Sequence, residues 1–81
     1  MKHYVVVLDW ARKGENGVII VGVGDTYEEA KEKFDKKLIA EREYASQLGW
    51  AIETDSNDMF DAGEMGYWFE DHITLYIQEV M

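Results

Sequence analysis

Val18-Ile19-Ile20-Val21-Gly22-Val23-Gly24-Asp25-Thr26-Tyr27-Glu28-Glu29-Ala30 holds the transition on which the fold turns. Residues 18 to 23 are apolar on both faces and read as a central strand, and Gly22 and Gly24 punctuate its exit. The next five residues contain a capping box: the Thr26 hydroxyl accepts from the Glu29 amide while Glu29 reaches back to the Thr26 amide. A helix therefore starts at Thr26 and runs to about Leu48, where Gly49 stops it. At about 100° per residue, Tyr27, Ala30, Phe34, Leu38, Ala45 and Leu48 form one apolar stripe, and Glu41 falls inside it. Glu29 with Lys33, and Glu32 with Lys36, are spaced for i,i+4 ion pairs on the exposed side.

Upstream, residues 3 to 10 are β-branched and aromatic and read as a first strand, joined to the second through a hairpin signalled by Gly14 and Asn16-Gly17. Downstream, residues 50 to 54 read as a third strand with Trp50 and Ile52 on one face, and 55 to 58 as a turn. Residues 59 to 71 have mixed polarity, two glycines and no clean period, and read as a packed loop with one helical turn. Residues 72 to 80 alternate, with Ile73, Leu75 and Ile77 on one face and His72, Thr74, Tyr76 and Gln78 on the other. The expected fold is α+β, β-β-α-β-β, one domain over 1–81: an antiparallel sheet with one long helix packed on one face. The opposite sheet face is then open and draws on Tyr4 or Val5, Trp10, Thr74, Tyr76 and Gln78, as a solvated surface, a dimer seam or a binding surface.

Charge is distributed unevenly. Residues 1 to 42 hold eight basic and eight acidic residues, and residues 43 to 81 hold nine acidic residues and no Lys or Arg, so the second half carries the whole net charge of −9. That half also has seven of the eleven aromatics, which an acidic disordered tail lacks. Such a surface opposes direct binding to nucleic acid or to acidic membranes and accelerates encounter with basic proteins. Without cysteine there is no disulfide or thiolate chemistry. The N-terminal apolar run is too short for a signal peptide, and no stretch approaches the roughly 20 apolar residues that span a bilayer, so a cytoplasmic location is expected.

Catalytic and metal motifs are weak. Gly22-Val23-Gly24 lacks the third glycine of a dinucleotide fingerprint, and Asp25, Glu28 and Glu29 already satisfy the positive helix end. Asp55, Asn57, Asp58, Asp61 and Glu64 crowd oxygen ligands together, but counted from Asp55 the sixth position is Phe60 and the twelfth Gly66, which fails the EF-hand pattern. His3 and His72 are not spaced as transition-metal ligands, and no metal or other cofactor is expected. His72 follows Glu70-Asp71 without a marked nucleophile, so no enzyme is expected.

Two features suit contact with a partner. Tyr67-Trp68-Phe69 cannot all point inward, and Asp61, Glu64, Glu70 and Asp71 ring them. Glu41 interrupts the apolar stripe: either Lys37, one turn earlier, neutralises it, or this part of the helix, with Ile39 and Tyr44, meets a second copy as an oligomer interface.

Tyr4-Val5-Val6-Val7, Asp25-Thr26-Tyr27-Glu28-Glu29-Ala30, Glu43-Tyr44-Ala45, Asp61-Ala62-Gly63-Glu64-Met65-Gly66-Tyr67 and Ile73-Thr74-Leu75-Tyr76-Ile77 together resemble small uncharacterised proteins of Gram-positive phages and prophages. The strand-Gly-Asp-Thr-x-Glu-Glu-Ala-helix segment is also similar to the N-terminal domain of HicB-type antitoxins, whose strand exit carries a proline this chain lacks. The phage resemblance implies an accessory protein expressed inside a bacterial host, where small acidic proteins block host proteins.

The leading expectation is thus a non-enzymatic protein that binds and inhibits a basic host protein, a defence or nucleic-acid-binding one, through Asp55, Asp58, Asp61, Glu64, Tyr67, Trp68, Glu70 and Asp71. The alternative is an oligomeric protein that sequesters a nucleotide-type signal among Trp10, Tyr44, Trp68 and Tyr76, with Lys2, Arg12 and Arg42 near in the oligomer.

Overall fold

A computed structural model describes residues 2–64 and 71–80. Six elements follow in order: β1 His3–Arg12, β2 Glu15–Gly24, α1 Tyr27–Leu48, β3 Ala51–Asp55, β4 Met59–Gly63 and β5 His72–Val80. The strands form one antiparallel sheet in the order β2-β1-β5-β4-β3, so the last strand inserts between the first and fourth. Alpha-beta character and a single long helix on the sheet are as expected. Residues 59–63 differ, because they form β4 rather than loop: Phe60 and Ala62 alternate inward and bury completely against the core. Two inward residues in five are too few to announce a strand from period alone.

The β1–β2 turn also falls elsewhere than expected. It is the two-residue pair Lys13-Gly14, both left-handed with φ of 51° and 82°, and Arg12 and Glu15 face each other across its base. Both central residues of a type I′ turn need positive φ. Asn16-Gly17 lies inside β2, where Gly17 faces Trp10 and a Cβ would come 3.0 Å from its indole.

Thr26 caps α1 by accepting from the Glu29 amide at 3.2 Å, while the Glu29 carboxylate accepts from Asp25 N–H at 3.3 Å, one residue earlier than expected. Gly49 closes the helix in the left-handed region at φ 71°. Leu48, expected in the buried stripe, is 39% exposed, since the chain reverses at Gly49 and Trp50 packs against the core instead. Lys36 keeps its pair with Glu32 at 3.7 Å, whereas Lys33 reaches over Gly22 to the Val23 carbonyl rather than to Glu29.

The core lies between helix and sheet. Ala30, Phe34 and Ala45 meet Val6 and Leu8 of β1, Phe60 and Ala62 of β4, and Ile73 and Leu75 of β5. Burying each phenylalanine contributes roughly 1.5–3 kcal/mol. Among the described residues no second layer covers the other side of the sheet, and the Cα extents are 41 × 21 × 15 Å, the thickness of one helix on one sheet. Among the described residues, no helix is long and apolar enough to cross a membrane.

Candidate functional site

Register decides what the open face offers. Residues that pair across antiparallel strands share a face. The pairings Val5 with Val23, Val7 with Ile20 and Asp9 with Val18 place these six side chains away from the helix, and Gln78, Tyr76, Thr74 and His72 continue the row on β5. Met59 and Asp61 extend it onto β4, and Thr54 onto β3. Val7, flanked by Ile20 and Tyr76, is only 5% exposed. Tyr4 and Trp10, both considered for this face, point to the helix side with Val6 and Leu8, as strand alternation requires.

The open face has two halves. On β1 and β2 it is aliphatic apart from Asp9, with Val18, Ile20 and Val23 about half exposed or more. On β5, β4 and β3 it is polar and carries Asp61; these adjacent strands with their turns also hold Glu53, Asp58, Glu64 and Asp71, and Asp55 and Glu79 on the helix side, with no Lys or Arg among the described residues.

The expected partner-binding acids are not one cluster. Asp55 pairs with Arg42 at 2.5 Å, and Asp58 sits exposed in the β3–β4 turn. Asp61 accepts from the Thr74 hydroxyl at 3.1 Å in mid-sheet. Glu64 and Asp71 meet at the opposite end, joined by a 2.9 Å backbone hydrogen bond, and the Asp71 carboxylate accepts from Lys13 N–H at 2.9 Å. Tyr67, Trp68 and Glu70 lie outside the described residues.

A second feature stands on the helix side. Leu8, Trp10, Ile19, Glu41, Tyr44, Trp50 and Ile73 line most of a cleft of about 240 Å³ between α1 and the β1–β2 end of the sheet. Tyr44 and Trp50 meet edge to face with centroids 5.9 Å apart, and the Arg12 guanidinium lies 5.1 Å from the Tyr44 ring. Glu41 is 9% exposed and its carboxylate stands 2.9 Å from Lys37 Nζ, so an ion pair with its own helix accompanies the break in the apolar stripe. Ile39, grouped with Glu41 and Tyr44 from sequence, is 72% exposed on the outer side of α1, away from this cleft.

Comparison with family models, with curated proteins and with solved structures finds no match to this chain. Of the expected ligand-binding set, Trp10 and Tyr44 share the cleft, Tyr76 is on the opposite sheet face, and Trp68 lies outside the described residues. Sequence reasoning missed Trp50 as a cleft residue; its place immediately after the Gly49 stop, where the chain must fold back, was the available signal.

Proposed function

We propose that this protein is a non-enzymatic, phage-type accessory protein that docks on a basic protein of a bacterial host and blocks it. The observation that supports the reading is the adjacency of β5, β4 and β3, which turns an acidic stretch of sequence into an acidic half-sheet without a cation among its described residues. Beside it runs the aliphatic half carrying Val18, Ile20 and Val23. A partner with an apolar patch flanked by Lys and Arg complements both halves, the apolar part supplying affinity and the acids supplying rate and orientation. Asp58 and Glu64, exposed at opposite ends of β4, are free to steer; Asp55 is engaged by Arg42 and contributes less.

Affinity capture from a bacterial host lysate, followed by binding kinetics on the isolated partner, tests this. The captured protein is expected to be basic, with affinity falling steeply as salt rises. Reversing Asp58, Asp61 or Glu64 to Lys is expected to slow association more than it speeds dissociation. Binding that is indifferent to salt and to these reversals overturns the reading.

The cleft favours a second reading, a small-molecule binder. Trp10, Tyr44 and Trp50 offer ring surfaces for a flat heteroaromatic group, Glu41 an acceptor for its N–H edge, and Arg12 a cation at the rim for a phosphate. Its size suits one ring system rather than a dinucleotide. Titration with purine and pyrimidine monophosphates, read by tryptophan fluorescence and melting temperature, is expected to show saturable change that Tyr44→Leu abolishes. No change across the panel removes this reading.

A further inference from the structure

The two edges of the sheet are built differently. β3 is five residues long, breaks register between Ile52 and Thr54, and carries Glu53 and Asp55. Short length, irregularity and charge are the devices by which natural sheets keep an edge from pairing with another chain. β2 is ten residues long, has no proline or lysine, and carries one charge, Glu15, at its start. Its residues Val18, Ile19, Ile20 and Val23 are 64%, 49%, 56% and 49% exposed. Apolarity on both faces is the sequence signature of a central strand, yet β2 stands at the edge. The pattern belongs to a strand with a neighbour on each side, and the described chain supplies one.

The guarding of β2 is confined to one end. Near Gly22 and Val23 the Lys33 stem lies over the strand and its ammonium binds the Val23 carbonyl, and the register shift opposite Val6 and Val7 falls in the same half. Asn16 to Ile20 has neither protection.

We propose that this bare stretch pairs antiparallel with the same stretch of a second copy, centred near Ile19, joining two five-stranded sheets into one of ten strands. Charge permits a second copy as the occupant. A chain of net charge −9 repels its copy wherever acids lie, and the acidic half-sheet begins two strands from β2. At about 4.8 Å per strand on each side of the seam, the two acidic halves lie farther apart than the roughly 8 Å screening length of physiological salt.

Complementarity follows from the same symmetry. With Ile19 opposite Ile19 of the second copy, Glu15 of each chain comes level with the Gly22–Val23 segment of the other, which the Lys33 stem overlies on the helix side. Glu15 pairs with Arg12 in register and Arg12 lies on the helix-side parity of β1, so Glu15 and Lys33 approach on one side of the sheet. A two-fold axis perpendicular to the sheet keeps both helices on that side and makes both ion pairs at once. Val18 and Ile20 of one chain then cover Ile20 and Val18 of the other. Ile19 is also the outer wall of the aromatic cleft, so pairing closes each cleft on that side.

Light scattering coupled to size exclusion on the full chain tests this, with twice the 9.4 kDa of one chain as the expected mass. Ile20→Lys, at an exposed side chain, is expected to raise the dimer dissociation constant at least about tenfold while far-ultraviolet circular dichroism is kept. Glu15→Lys is expected to weaken the dimer, and Glu15→Lys combined with Lys33→Glu to restore it, which a purely structural role of either residue would not produce. A monomer at every concentration, a dimer indifferent to Ile20→Lys, or a failure of the double reversal to restore pairing each overturns the proposal.

Discussion

Lys37 Nζ stands 2.9 Å from a Glu41 carboxylate oxygen one helical turn away, and Glu41 is the one buried charged residue among those described. Lys37 itself is partly in water, with a side chain 35% exposed, so it lends charge to the cleft without being buried there. Removing Lys37 is expected to leave a carboxylate in a low-dielectric wall, whereas removing Glu41 leaves only a surface ammonium. Lys37→Met is therefore expected to destabilise by about 1–2 kcal/mol, and Glu41→Met to be near neutral or stabilising. Urea denaturation of both variants and of the double variant checks the asymmetry; equal losses would contradict it.

Phe34 and Phe60 are fully buried and come from opposite layers. Each truncation to Ala is expected to cost about 3–5 kcal/mol, which is a large fraction of the stability of a domain this small. Thermal melts should fall by well over 10 °C, roughly 4–8 °C per kcal/mol. A shift of only a few degrees for either would mean that its site collapses around the gap.

Gly22 and Gly24 separate two kinds of close approach. A Cβ on Gly22 would meet the Lys33 side chain at 2.7 Å, and one on Gly24 would meet the backbone nitrogen of Ala30 at 2.7 Å. A lysine stem can move and a capped helix start cannot. Gly24→Ala is thus expected to destabilise clearly more than Gly22→Ala, and Lys33→Ala is expected to relieve the second but not the first. Chemical denaturation of the three single variants, and of each glycine variant combined with Lys33→Ala, decides this.

Thr26 accepts from the Glu29 amide at 3.2 Å. Thr26→Ala is expected to cost about 1 kcal/mol and Thr26→Ser to recover nearly all of it, because only the hydroxyl oxygen is needed. Equal stability of the Ala and Ser variants would show that water replaces the cap.

Local chemistry was legible wherever a few neighbouring residues suffice. Thr26 and Glu29 announce the helix start and Gly49 its end, and the alternation of Ile73, Leu75 and Ile77 announces β5 together with its buried face. The candidate sites were less legible. Trp10 and Tyr44 were identified as possible ring partners, but nothing local to either indicates that Trp50 joins them or that Tyr76 stands across the sheet. β4 was hidden because its evidence is long-range: Phe60 and Ala62 acquire meaning only from Leu75 and Ile73 beside them.

The sequence by itself determined the helix, its caps, the hairpin at the start, the alternating last strand and the concentration of acid after residue 42, because each depends on neighbours within a few residues or on composition. Tertiary structure alone decided strand order. By inserting β5 between β1 and β4, it gathered the acids onto three adjacent strands and left the apolar β2 at an edge. A strand's own side chains state that both of its faces avoid water; they do not state which backbone lies beside it, since that depends on loop closure and on packing against elements distant in the chain.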